Sequence, residues 1–255
     1  MILSICGNHK SGKSLYCASL AAGILHHNPK STVILINLSE DVPAHAMWEP
    51  TRIISNMNSI GFLFEEGGIS VKSLPKYIIT HKKNNNIGLI GYCIGDTPIT
   101  YRDPSYDDII EIIKTADQLA DFVILDCDTN LLSDFLAASI EMADELSILV
   151  TPDINGTLYL QTFKSMYESN MKYAQVIENM NYILSPVKPF NGSEAFAEQI
   201  KETNKGKKIN VVEIPYNSEI DVAMGEGKIF EIYQSYAPSK YKKIIDKHVK
   251  TIRKE

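Results

Sequence analysis

The chain has 255 residues, 44% of them hydrophobic and 22% charged, with a formal net charge of −6. That length and balance exclude disordered, fibrous and collagen-like classes, and they allow a core that needs no staples. The charge is uneven: from Ala237 to Glu255 seven Lys or Arg face two acids, which leaves −11 on the other 236 residues and excludes a globally basic nucleic-acid binder. No apolar run is long enough to span a membrane, and the N-terminal Met-Ile-Leu-Ser-Ile-Cys-Gly lacks the basic stretch of a secretory signal. Cys6, Cys17, Cys93 and Cys127 show no CxxC spacing and no His pairing, so reduced thiols of a cytoplasmic protein are expected.

Strands and helices alternate along the whole chain. Ile2–Cys6 is a short apolar strand that runs into a Gly-rich turn, and Lys13–His26 follows with apolar residues at helical spacing. Thr32–Ile36 is a β-branched strand. Trp48, after it, is expected to be exposed or at an interface. Short helices are expected at Ser59–Phe64 and Leu74–His81, around a turn at Glu65–Gly68, then a loop at Asn84–Asn86 and a strand at Ile87–Ile90. Helix Asp107–Leu119, strand Phe122–Leu125, helix Leu131–Met142, strand Leu146–Val150 and helix Leu158–Met171 come next. Strands Tyr182–Leu184 and Asn210–Ile214 flank a helix near Glu194–Thr203, and a last helix starts near Pro238. Continuous apolar strands separated by helices predict an α/β fold: a single doubly wound, mostly parallel sheet with helices on both faces. No linker or repeat divides the chain, so residues 1–255 are expected to form one domain ending in a basic helix at 238–255.

Gly7-Asn8-His9-Lys10-Ser11-Gly12-Lys13-Ser14 matches the phosphate-loop pattern G-x-x-x-x-G-K-[ST], between a strand and a helix as that motif requires. Gly7 and Gly12 permit backbone angles that turn N–H groups toward phosphate oxygens, and the helix beginning at Lys13 adds its N-terminal partial charge. Lys13 is placed to reach the β and γ phosphates, and Ser14 to ligate Mg²⁺. The binding set is thus Gly7, Asn8, His9, Lys10, Ser11, Gly12, Lys13, Ser14 and Leu15, with ATP and Mg²⁺ as the expected cofactors. Asp126, at the end of the apolar strand Phe122–Leu125, supplies the metal carboxylate; Asp128 is a second candidate, and capping of the next helix is the alternative for both.

Together these residues resemble the MinD/ParA family of P-loop ATPases over almost the whole chain. Weaker echoes occur in the family's order: Ser59-Ile60-Gly61-Phe62-Leu63-Phe64, Val150-Thr151-Pro152-Asp153, Ile214-Pro215-Tyr216-Asn217 with Ala223 and Gly227, and Tyr236-Ala237-Pro238-Ser239-Lys240. The resemblance implies an ATP-dependent homodimer that positions plasmids, division proteins, pili or similar assemblies at nucleoid or membrane. It also implies that the adenine lies against Pro215, Tyr216 and Asn217, with Ser185 where the family often places an amide that reads the base. Three departures stand out. The family's loop begins with a lysine that crosses the dimer; here Asn8 holds that place, and Lys10, two positions on, is the candidate for the missing charge. The family's second strand ends in D-x-D, replaced here by Asn37-Leu38-Ser39 with Glu40 and Asp41 displaced. The turn after Asp126 is Cys127-Asp128-Thr129-Asn130, with no glycine.

Catalysis would rest on Lys13, Asp126 and Lys10. With the aimed water and the opposing charge compromised, slow hydrolysis is expected, and nucleotide would act mainly as a switching ligand. A pilus- or secretion-apparatus localisation factor of the TadZ/CpaE type fits best; a partition ATPase that binds DNA and a nucleotide-free scaffold are the alternatives. In the last helix Tyr241, Ile244, Ile245, Val249 and Ile252 form one apolar stripe flanked by lysines, open to packing on the domain, DNA contact or membrane contact.

Overall fold

The computed structural model describes residues 1–39, 43–50, 52, 54–96, 99–188, 193–204, 209 and 211–253. Eight strands make one sheet: β1 (Ile2–Gly7), β2 (Val33–Asn37), β3 (Ile79–His81), β4 (Asn84–Gly91), β5 (Phe122–Asp126), β6 (Glu145–Val150), β7 (Asn181–Val187) and β8 (Val211–Pro215). Their order is β3-β4-β2-β5-β1-β6-β7-β8. Every pair is parallel except the antiparallel β3–β4 at one edge. The helices are α1 (Lys13–His27), α2 (Ala44–Trp48), α3 (Ile60–Glu66), α4 (Tyr106–Leu119) and α5 (Asp134–Met142), then α6 (Ile154–Tyr167), α7 (Met171–Glu178), α8 (Ser193–Thr203), α9 (Ser218–Gly225) and α10 (Ser239–Ile252).

Side-chain alternation divides the interior into two layers. Ile2 and Cys6 of β1 face a core built with α3 to α8, whereas Leu3 and Ile5 face a second core built with α1, α2, α9 and α10. The expected doubly wound sandwich is therefore the observed one. The central strands are buried on both faces, which is why they read as unbroken apolar runs. All four cysteines are free and buried. Among the described residues no helix is long and apolar enough to cross a membrane.

Four local expectations need correction. The helix expected at Leu74–His81 is a single 3-10 turn over Leu74–Tyr77 followed by β3. Pro75 starts the turn, and the β-branched Ile78-Ile79-Thr80 then favours strand. Asn84–Asn86, expected as a loop, opens β4, because the hairpin partner β3 offers a ladder across His81 and Asn84 that outweighs the turn preference of asparagine. The helix expected at Leu158–Met171 begins at Ile154, ends at Tyr167, and is followed by a separate α7. Trp48 is 2% exposed and packs in the α1-side core, so it is neither exposed nor interfacial. The first residue of the strand expected from Asn210, and the last two of the basic C-terminal segment, lie outside the described residues.

α10 is held against α1. Tyr241, Ile245, Val249 and Ile252 are buried, and Ile244 is partly buried beside them. Polar contacts close the same seam. Tyr241 donates to Ser19 Oγ at 3.0 Å, and His27 Nε2 lies 3.0 Å from Asp246 Oδ1, which also accepts from Tyr233 at 2.5 Å. The stripe is thus occupied by the domain itself, as the packing alternative requires. Ile245→Ala should cost about 2–5 kcal/mol by leaving a cavity. The midpoint of thermal unfolding should then fall by roughly 5–15 °C, with the far-UV spectrum at 20 °C almost unchanged.

Candidate phosphate-binding site

The site forms where the loop after β1 turns into α1. A Cβ on Gly7 would lie 1.9 Å from the Leu149 carbonyl oxygen of β6, so only glycine fits between the two strands. Lys10 (φ 63°) and Gly12 (φ 82°) are both left-handed. Left-handed residues alternating along a loop are the backbone pattern from which anion-binding nests are built; here Ser11 N, between the two, donates to the Asn8 carbonyl at 3.3 Å. Gly12 precedes α1 with no side-chain cap and no acid in the first turn. The first N–H groups and the positive end of the helix dipole therefore face the loop uncompensated. Lys13 Nζ donates to the Gly7 and Asn8 carbonyls at 3.1 and 3.3 Å, which holds the ammonium along the loop's rim. Ser11 Oγ is buried with no hydrogen-bond partner.

Asp126 ends β5 beside Ile5 of β1 and is 1% exposed. Neither of its carboxylate oxygens has a hydrogen-bond partner. Burial pushes its carboxyl above the usual range; the nearby Lys13, Ser14 and Asn37 oppose that shift without cancelling it. A buried carboxylate with both oxygens free, next to a serine hydroxyl, suits a hard divalent cation. Asp126 and Ser14 are the residues that would hold Mg²⁺. Among the described residues no cluster of three or more His, Cys, Asp or Glu side chains is placed to hold a metal ion. Asp128 instead closes a local turn, its Oδ1 accepting from Thr129 N at 2.7 Å. Neither aspartate caps the next helix, which starts at Asp134 after Ser133.

Asn8 is where the structure adds most to the sequence reading. It is 6% exposed, and its carboxamide makes a two-way pair with Thr151 at the end of β6. Nδ2 donates to Thr151 Oγ1 at 2.9 Å, and Oδ1 accepts from Thr151 N at 3.0 Å. Thr151 Oγ1 in turn donates to Asp153 Oδ1, which caps α6 by accepting from Gly156 N at 3.0 Å. The Asn8 side chain is thus turned inward and its amide is engaged. No motif in the sequence marks Thr151 and Asp153 as part of the site; the Asp before the helical segment is the available signal. His9 and Lys10 are exposed at the loop's outer edge.

The remaining predicted residues divide. Asn37 Nδ2 donates to the Asp126 carbonyl oxygen at 3.0 Å and its Oδ1 accepts from Ser39 N, so this pair ties β2 to β5 without offering a carboxylate. Glu40 and Asp41 lie outside the described residues. Ser185 Oγ sits against Gly12, 3.5 Å from where a Cβ would stand, beside the phosphate loop. Leu15 is half-buried on α1. Pro215 ends β8, and Tyr216 N donates to the Val187 carbonyl at 2.8 Å. Tyr216 is 38% exposed, with Lys188 Nζ over its ring, 5.5 Å from the centroid. Asn217 Oδ1 accepts from Ile220 N and caps α9, so its acceptor is engaged.

No protein-family model matches the sequence, and the curated proteins searched give no match. Solved structures do match. A ParA family ATPase from Chlorobium tepidum TLS superposes with a TM-score of 0.74 at 16% identity, covering 97% of this chain and 96% of that one. The fold is that of the MinD/ParA ATPases. The septum site-determining protein MinD from Pyrococcus horikoshii OT3, complexed with Mg-ADP, gives 0.70 at 16% identity over 99% and 96% of the two chains. A plasmid partition protein from Borrelia burgdorferi B31 bound to AMPPNP gives 0.69 at 16% identity over 99% and 98%. The resemblance read from the phosphate loop and its ordered echoes is therefore met by the MinD/ParA fold over the full length of the chain.

Proposed function

We propose that this chain binds ATP with Mg²⁺ as a switching ligand, closes into a homodimer around it, and so positions or assembles a cellular structure while hydrolysing ATP slowly. One contrast carries the reading. The parts that would bind phosphate and metal are the loop backbone, Lys13, Ser14 and Asp126, and the chain carries all of them. The side chain that would bring charge to a partner's nucleotide is Asn8, and it is bonded to Thr151. Binding rests on the first set, fast turnover on the second. The nucleotide-bound MinD and partition structures of the same fold support ATP and Mg²⁺ as the ligands. Localising a pilus or secretion apparatus, at the membrane or nucleoid edge, fits this chemistry better than plasmid partition, which needs repeated turnover and a DNA affinity that a body of charge −11 opposes.

Calorimetry with ATP, ADP and Mg²⁺, with light scattering and phosphate release on the same sample, tests the proposal. Tight ATP binding, a doubled mass and little phosphate are expected. Lys13→Ala should weaken ATP binding about 100-fold, because it removes charge-assisted bonds to two phosphates. Absence of ATP binding by the parent chain would leave a scaffold with a vestigial loop and end the proposal.

A further inference from the structure

A second concave site opens at the other edge of the sheet. It lies between α8 and α10 along β8, the last strand in the order, and encloses about 490 Å³. That volume is within the range of small-molecule pockets. Asn181 and Val211, the first residues of β7 and β8, line it. By register Ile183 and Val212 lie in the same row as Gly7, across Leu149 of β6, so the pocket is set sideways from the phosphate loop by two to three strands. It does not depend on the nucleotide reading.

The lining has two parts. The floor is apolar: Ile183, Ala197, Val211, Val212 and Ile244. Ile244 is the one member of the α10 stripe that α1 leaves partly uncovered, and Val211 and Val212 are half-buried on the edge strand. The rim is cationic, with Lys201 from α8 and Lys240, Lys243 and Lys247 from α10. All four lysines are exposed, and none makes an ion pair among the described residues. Glu213 is the acid at the same rim. The buried polar groups beside the floor satisfy one another. Tyr16 OH lies 2.7 Å from His248 Nδ1, His248 Nε2 bonds Glu145, and Asn181 Nδ2 donates to Glu145 Oε1 at 2.9 Å. An occupant therefore meets no unsatisfied buried polar atom, only apolar wall below and positive charge above.

We infer that this pocket binds a small anionic amphiphile, an apolar body carrying one carboxylate or phosphate group. The body covers Ile183, Val212 and Ile244, and the head lies among Lys201, Lys243 and Lys247. Burial of the apolar body supplies the affinity, and the lysines select a negative head over a neutral one.

The test uses the full chain and 8-anilinonaphthalene-1-sulfonate, a fluorescent apolar anion. Saturable one-to-one enhancement is expected, displaced by dodecanoate or dodecyl phosphate and not by dodecanol or inorganic phosphate. The tighter of the two displacing ligands identifies the head group. Lys243→Glu/Lys247→Glu alters only exposed residues; it should weaken probe binding about tenfold with an unchanged unfolding midpoint. Lys13→Ala should leave probe binding intact, which separates this site from the phosphate loop. The inference is overturned by the absence of saturable enhancement, by equal displacement with dodecanol, or by a double variant that binds as the parent does. Binding to vesicles of anionic phospholipid without binding to the monomeric amphiphiles would overturn it too, since a basic surface alone explains that result.

Discussion

Asp126→Asn is expected to make the protein more stable and to remove the Mg²⁺ dependence of nucleotide binding. The carboxylate is 1% exposed with neither oxygen partnered, and its surroundings push its carboxyl pKa up. The direction of that shift gives the sign: the folded state, with Lys13 included, disfavours the charge more than water does. A neutral side chain of the same shape relieves the penalty by about 1–2 kcal/mol, a rise of roughly 2–6 °C in midpoint. The pH dependence follows. In the window between the unfolded and folded pKa the native state binds the extra proton, so stability falls as pH rises from about 4 through the folded value. The difference between variant and parent should therefore be full above the folded value and shrink as pH falls toward 4. Meanwhile Mg²⁺ should strengthen ATP binding in the parent and not in Asp126→Asn. A destabilised variant, or one that keeps the metal dependence, would show that this carboxylate is a structural group and not a ligand. Opposed effects on stability and function are what a residue kept for its chemistry should show.

Much of the frame was legible because its signals are local. Gly7, Gly12, Lys13 and Ser14 carry the loop in eight consecutive residues, and Phe122–Asp126 combines a buried strand with a terminal acid in five. Each central strand is apolar on both faces because helices cover both, so composition alone reveals it. The errors occur where a tertiary partner outweighs local preference. Asn84–Asn86 reads as a loop until β3 lies beside it. Trp48, after the second strand, reads as exposed or at an interface, yet α2 presents it to the core beneath α1. The Asn8–Thr151 pair joins positions 143 residues apart, and no periodicity or spacing records it. The resemblance implies a lysine where this sequence has Asn8; only the fold shows what the Asn8 side chain does. The same limit applies to the lysine-rimmed pocket, whose walls come from α8, β8 and α10 and whose buried polar groups are closed off by α1 and β6.

Asn8→Lys should give a less stable protein that hydrolyses ATP faster. The substitution removes two buried hydrogen bonds and leaves Thr151 N without an acceptor. The cost is about 2–4 kcal/mol, or roughly 4–12 °C in midpoint. A lysine does not fit the carboxamide's place between β1 and β6 and turns out of the loop, where a second copy's nucleotide would lie. Transition-state charge of this kind is worth up to 10³-fold or more in phosphoryl transfer when supplied by an arginine finger. The parent should turn over on the order of 10⁻³ s⁻¹, like an isolated phosphate-loop enzyme lacking such a group. Asn8→Lys should exceed it by tenfold or more. Because the added charge acts across two chains, its turnover per chain should rise with protein concentration and then saturate. Asn8→Ala supplies the control: it loses the same two bonds and brings no charge, so it should share the lower midpoint and show no gain in rate. Equal acceleration in both variants would trace the effect to a loosened loop. A parent rate near 1 s⁻¹ that disappears in Lys13→Ala would show that Lys10 or another group already supplies the charge, and nucleotide would then be a substrate first and a switch second.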